Sequence, residues 1–244
     1  MKRALLMSSS RMGSMGYLEH ADAQLRTLLG TGPVEVLFIP FAAVSSSFDA
    51  FEKRVQPAFA RLGYSLTSVH HFSDPLAAVR NAQAIAVGGG NTFALLTRLY
   101  QAGIVELISE RVNAGELPYV GWSAGSNVAT PTIRTTNDMP IVQPPSFNAL
   151  NIAPFQINPH FISGKTAGHN GESREDRLNE FLAFNPQEQL LALYEGSALY
   201  IEGARGRILG EKEGLWFKGP DSIERIAPDA PFDLSMIQGV GQRL

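Results

Sequence analysis

The sequence predicts an α/β fold: a mostly parallel sheet flanked by helices, with antiparallel hairpins toward the C-terminal end. Three observations carry that prediction. Through the first half of the chain, short apolar runs of strand length alternate with segments whose apolar residues recur at helical spacing. Two of the runs end in glycine-rich turns, at 88–90 and 121–125, where an α/β sheet places its ligand site. In the last quarter, apolar runs are separated by close turn signals, as in hairpins at one edge of the sheet.

Taken in order, residues 4–7 are apolar and then break into Ser8-Ser9-Ser10, too early for a signal-peptide core, so they read as a first strand. Leu18, Ala21, Leu25, Leu28 and Leu29 follow at helical spacing, closed by Gly30. The pair repeats as a strand at 34–41 and a helix at 48–62, with Phe51, Val55, Ala58, Phe59 and Leu62 on one face and Gly63 as its stop. A weaker, edge-like strand at 65–70 precedes Asp74-Pro75, an aspartate N-cap followed by a proline suited to the first helical position. Residues 84–87 read as a buried strand ending in Gly88-Gly89-Gly90-Asn91-Thr92. Two helices follow, one carrying Phe93, Leu96, Leu99 and Tyr100, the other Ile104, Leu107, Ile108 and Val112, and then a strand at 118–122.

Beyond that strand the pattern loosens. Pro131, Pro140, Pro144, Pro145, Pro154 and Pro159 punctuate a long irregular region, and a loop of that length in an α/β chain is usually functional. Ser173 and Asp176 form a capping-box pattern ahead of Leu178, Phe181 and Leu182. Strands return at 189–194, 198–201, 207–209 and 215–218. No repeat, low-complexity tract or linker divides the chain, so residues 1–244 read as one domain.

Composition narrows the chemistry. Of 244 residues 44% are apolar and 18% charged, and the formal charge is −3 with no basic cluster, which gives no electrostatic reason to expect nucleic acid or an anionic membrane as a partner. No run is long enough to span a bilayer, and a cytoplasmic location is expected. There is no cysteine, which excludes disulfides, thiolate metal sites and a cysteine nucleophile. Small-molecule chemistry with an oxygen or nitrogen nucleophile remains, in a monomer or small homo-oligomer.

Gly121-Trp122-Ser123-Ala124-Gly125 is the G-x-S-x-G pattern of a strand-to-helix turn that lifts a serine hydroxyl clear of its surroundings. Such a serine needs a base, and five histidines compete. His20 belongs to a helix face. His70 and His71 point to opposite faces if their strand continues through them. His169 reads as a loop residue or substrate contact. His160, with Pro159 fixing the backbone before it, is the best base. An acid must orient the imidazole, and Asp138 and Glu195 both qualify, because such groups meet in space and not in sequence. The N–H groups of Gly90 and Ala124 are the candidate oxyanion donors. A phosphate cradle at 88–90 is less supported, since neither G-x-G-x-x-G nor a P-loop ending is present. An α/β-hydrolase places its histidine near the end of the chain, which this sequence does not.

These motifs, with Ile39-Pro40-Phe41-Ala42, Asp74-Pro75-Leu76-Ala77-Ala78, Val87-Gly88-Gly89-Gly90-Asn91-Thr92-Phe93, the block from Pro131-Thr132-Ile133-Arg134-Thr135-Thr136-Asn137-Asp138 through Met139-Pro140-Ile141-Val142, and Gln156-Ile157-Asn158-Pro159-His160-Phe161, resemble the alpha-aspartyl dipeptidases, the peptidase E family of serine peptidases. The resemblance implies a fold related to class I glutamine amidotransferases and a cytosolic enzyme that hydrolyses dipeptides with an N-terminal aspartate, without metal or other cofactor. It implies Ser123 as nucleophile, His160 as base, Gly90 and Ala124 as oxyanion donors, and a glutamate at Glu195 as third member, although an aspartate matching Asp138 has also been given that role. An acidic substrate side chain calls for a guanidinium, for which Arg134 and Arg174 are the candidates. A peptidase of the same fold with β-aspartyl or non-aspartyl specificity, and a catalytically silent binding protein, are the alternatives.

Overall fold

A computed structural model describes residues 1–165, 168 and 170–234. Five parallel strands form the centre of the molecule: β1 (Arg3–Met7), β2 (Glu35–Ile39), β3 (Ser65–Ser68), β4 (Ala84–Val87) and β5 (Tyr119–Trp122). They lie in the order β1-β5-β4-β2-β3. Their near-continuous apolar sequences follow from burial on both faces. Alternate side chains enter opposite cores, so Leu5 and Met7, Val36 and Phe38, and Val120 and Trp122 meet α1 (Asp22–Leu29) and α2 (Phe48–Ala60). Ala4 and Leu6, Leu37 and Ile39, and Ile85 and Val87 face the other way, toward α3 (Pro75–Asn81), α4 (Thr92–Gln101) and α5 (Val105–Asn113).

The helix starts are those that the capping residues dictate. Ser47 Oγ accepts the N–H of Ala50, Asp74 that of Ala77 with Pro75 at the first turn, and Asn91 that of Ala94. Each cap fixes where a strand's exit loop ends and thus where the sheet's carboxyl edge is open. Residues 18–29 depart from the single helix predicted: a 3-10 turn at Glu19–Ala21 precedes α1 and puts His20 on a half-buried corner, where burial lowers its pKa. The strand predicted at 65–70 stops at Ser68, and a 3-10 turn at Val69–His71 follows.

The C-terminal strands divide between two sheets instead of lining one edge. β8 (Ala198–Glu202), β9 (Arg205–Leu209) and β12 (Pro231–Asp233) extend the main sheet antiparallel beyond β1. β6 (Gln156–Phe161), β7 (Leu190–Tyr194), β10 (Gly214–Gly219) and β11 (Ser222–Ile226) make a second sheet in the order β11-β10-β7-β6. α7 (Arg174–Phe184) covers it through Leu178 and Leu182, which pack on Phe161, Leu190 and Phe217. Turn signals mark where strands end but carry no information on which sheet receives them, because that choice rests on contacts remote in sequence. Among the described residues no helix is long and apolar enough to cross a membrane.

Candidate active site

β5 delivers Ser123 at its carboxyl end, and α6 (Ala124–Asn127) begins at the next residue. Ser123 itself holds φ 54° and ψ −114°, a conformation that costs a non-glycine residue free energy unless its surroundings over-determine it. They do. Its N–H donates to Met7 O at 3.0 Å, and the next residues close a helical turn onto its own carbonyl, Ser126 N at 2.9 Å and Asn127 N at 3.0 Å. Ser126 Oγ binds Met7 O at 2.7 Å, pinning the turn to β1. A Cβ on Gly125 would strike the Val87 carbonyl, so only glycine lets α6 lie so close to β4.

The glycine turn 88–90 belongs to the same construction. Because β4 and β5 are parallel neighbours, with Val87 opposite Gly121, their exit loops emerge side by side. A Cβ on Gly89 would approach Ser123 Cβ to 2.9 Å, and Gly90, at φ +141°, packs against the Ala42 backbone. Among the described residues neither Gly90 nor Ala124 donates its N–H to another group, which leaves two backbone donors beside the serine.

His160 arrives from the second sheet. β6 pairs with β7 from Gln156 to Asn158, then shifts register, and His160 adopts φ 53°, which swings the imidazole off the pleat toward Ser123. Nε2 lies 2.9 Å from Ser123 Oγ, and Nδ1 lies 2.8 Å from Glu195 Oε1. Glu195 sits on the turn where the chain leaves β7 and enters β8, crossing from one sheet to the other. Two serines at the end of β1 tie these pieces together. Buried Ser8 donates its Oγ–H to Leu193 O at 2.8 Å and accepts the His160 N–H at 2.8 Å, while Ser9 Oγ accepts the Gly196 N–H at 3.1 Å. In the sequence these residues register only as the end of an apolar run; a hydroxyl pair directly after a buried strand was the signal available.

A cleft of about 330 Å³ opens over Ser123, bounded by Tyr17, Phe51, Arg54, Gly90, Trp122 and His160. The Trp122 indole N–H donates to the Tyr17 hydroxyl at 3.0 Å, and burial holds that hydroxyl's pKa above its usual range. Arg54 is exposed and, among the described residues, pairs with no carboxylate. Nothing in the sequence singled it out, because an arginine on the polar side of a helix is ordinary.

The remaining predicted residues lie elsewhere. Both ring nitrogens of His160 are engaged without Asp138, whose Oδ2 accepts from Thr92 N at 2.7 Å and Thr92 Oγ1 at 2.6 Å. Asp138 therefore clasps the start of α4, and with it the glycine turn, instead of the imidazole. Arg134 corrects the substrate-binding expectation: it donates to Asn185 Oδ1 at 2.7 Å and to buried Glu188 Oε1 at 2.5 Å, because that carboxylate needs a cation to tolerate burial. Arg174, at the start of α7, lines a separate cavity of about 170 Å³ with Lys165 and Arg177, and burial lowers its pKa. His70 and His71 face α2, and His169 lies outside the described residues.

A serine hydroxyl on an imidazole that is itself held by a carboxylate, beside two free backbone donors, is equipped for acyl transfer. The sequence model of peptidase family S51 matches residues 4–209. The chain is 52% identical to peptidase E of Shewanella denitrificans over 88% of this chain and 91% of that protein. It is 52% identical to peptidase E of Haemophilus influenzae (Rd) over 87% and 97%. Among solved structures, a peptidase from an acI-B1 actinobacterium shares the fold at TM-score 0.67 and 18% identity, over 95% of this chain and 96% of that one. The chain thus belongs to peptidase family S51, a family of peptide-bond hydrolases.

Proposed function

We propose that the chain is a serine dipeptidase that releases N-terminal aspartate from Asp-Xaa dipeptides through an acyl-enzyme. The observation that carries the reading is the unbroken hydrogen-bonded series from Glu195 Oε1 through His160 to Ser123 Oγ, at 2.8 and 2.9 Å. Ser123 Oγ attacks the peptide carbonyl as His160 Nε2 takes its proton. The carbonyl oxygen, now an oxyanion, is met by the N–H groups of Gly90 and Ala124. His160 then passes the proton to the leaving amine, and the peptide C–N bond breaks. Water attacks the aspartyl ester with His160 as base, and aspartate leaves. Glu195 keeps the proton on Nδ1, so that Nε2 presents its lone pair to the serine, and stabilises the imidazolium that forms.

Two features favour a short, acidic substrate. Arg54 offers the cleft a guanidinium without a carboxylate partner among the described residues, suited to a bidentate grip on the aspartyl side chain. The cleft's modest volume suits a short peptide. The reaction needs only side chains and backbone amides of this chain, and it fits a cytoplasmic enzyme acting on small peptides.

The test is hydrolysis of an Asp-Xaa panel against Glu-Xaa, Asn-Xaa and N-blocked Asp-Xaa, by wild type and Ser123→Ala. Cleavage of Asp-Xaa that disappears in Ser123→Ala is expected. Absence of Ser123-dependent cleavage anywhere in the panel overturns the serine mechanism, and equal rates on Asn-Xaa overturn aspartate specificity. Replacing Arg54 by Ala is expected to raise KM for Asp-Xaa about 10- to 100-fold, the range of a lost charge-assisted pair.

A further inference from the structure

On the far side of α2 from the cleft, four side chains converge that the reaction does not use. Asp49 and Glu52 stand three residues apart on the first turns of α2, so they share a face. His70 and His71, adjacent in sequence, would diverge on a continuing strand. The 3-10 turn at Val69–His71 instead brings both rings against α2, with centroids 4.0 Å apart. One ligating atom from each of the four lies within 4.8 Å of all the others. His70 Nε2 is 2.9 Å from Asp49 Oδ1, His71 Nε2 is 2.7 Å from Glu52 Oε2, and His71 Nε2 is 3.9 Å from Asp49 Oδ1.

We propose that Asp49, Glu52, His70 and His71 form a binding site for one divalent transition-metal ion of the zinc type. The donor set is two imidazole nitrogens and two carboxylate oxygens, which matches the ligand chemistry and coordination number of zinc. Bonds of roughly 2.0–2.2 Å in a tetrahedron keep ligand atoms about 3.3–3.6 Å apart. The separations here, 2.7 to 4.8 Å, bracket that spacing.

The surroundings separate a fixed half from an adjustable half. Glu52 is buried, and its other oxygen accepts the Ser68 N–H at 2.7 Å. His70 is held with Nδ1 2.6 Å from Ser68 Oγ, the kind of outer partner that fixes the tautomer of a ligating histidine. Without an ion, each Nε2–H donates to a carboxylate; with one, His70 turns its proton to Nδ1 and donates it to Ser68. Asp49 and His71, with side chains 65% and 45% exposed, are free to close onto the ion. Ser68, His70 and Asp49 also imitate a serine triad, but Ser68 is fully buried and out of a substrate's reach. An occupied site would clamp the start of α2 to the end of β3. Phe51 and Arg54 lie in that same stretch of α2 and line the cleft.

The experiment is a calorimetric titration of chelator-stripped full-length protein with ZnCl2. One ion per chain is expected. Asp49→Asn and His71→Ala, chosen for exposed positions where the fold persists, should each weaken binding about tenfold or more. His160→Ala, which removes the other imidazole–carboxylate pair, should leave it unchanged. With CoCl2, the intense visible bands of four-coordinate Co2+ should appear in wild type and fade in His71→Ala. No stoichiometric binding by wild type, wild-type affinity in both cluster variants, loss confined to His160→Ala, or only the faint bands of six-coordinate Co2+ would each overturn the assignment.

Discussion

The Ser123 turn and the Glu195 turn approach one imidazole from opposite sides, and they are built by different means. Around Ser123 the construction is buried and lies within one sheet: consecutive residues close the helical turn, Met7 of β1 accepts the Ser123 N–H, and Gly125 admits the Val87 carbonyl of β4. Around Glu195 it spans two sheets and is open. The carboxylate is 61% exposed, and its turn is held by Ser9, 187 residues from Gly196. Even the His160 backbone is fixed by Ser8, 152 residues away. Strain at Ser123 is thus supported within one sheet, by α6 and the ends of β1 and β4, whereas the alignment of His160 and Glu195 depends on the two sheets keeping their relation. Ser8 and Ser9, at the end of β1, are the hinge of that relation.

This contrast sets a ranking of effects. Ser123→Ala should have the largest, lowering kcat by more than about 10⁴-fold without moving the melting temperature by more than a few degrees. A stable variant with substantial residual rate would break the view that the buried half carries the nucleophile. Next, Glu195→Gln should lower kcat by about 10²- to 10³-fold. That is less than the roughly 10⁴-fold seen when a buried orienting carboxylate becomes an amide, because water reaches this one. A loss equal to that of Ser123→Ala would mean that exposure does not soften the acid's role. Ser8→Ala should reduce kcat about tenfold with KM little changed, since it frees the His160 N–H and the Leu193 carbonyl. Steady-state kinetics in which KM alone rises would move Ser8 out of the alignment. Asp138→Asn should be smallest, costing about 1 kcal/mol in denaturant melts and a few-fold in kcat through the α4 cap. A larger loss than for Glu195→Gln would reverse the assignment of the acid.

Much of this was legible in residues 1–127. Apolar runs buried on both faces of a parallel sheet leave a continuous signature, and a cap such as Asp74-Pro75 marks a helix start within a residue or two. The Ser123 turn was legible because the glycines that frame it, Gly121 and Gly125, are its neighbours in sequence. Arg54 was not, since a cation on an exposed helical face looks the same whether or not a cleft lies beside it. Arg134 misled because its partner, buried Glu188, lies 54 residues away. The C-terminal strands were visible as strands, but their division between two sheets was not.

By itself the sequence determined the alternating α/β core, the glycine-framed Ser123 turn, the exclusion of cysteine chemistry and the short set of histidines and acids from which a base could be drawn. Those are properties of local geometry and composition, written within a few residues of each feature. Tertiary structure alone decided that His160 meets Glu195 while Asp138 caps α4, that Ser8 and Ser9 bridge the two sheets, and that Asp49, Glu52, His70 and His71 converge. Each of those outcomes joins residues far apart in the chain. Hydrogen bonds and ion pairs act over about 3 Å of space whatever the sequence separation, so only the packed fold selects among the partners that composition permits.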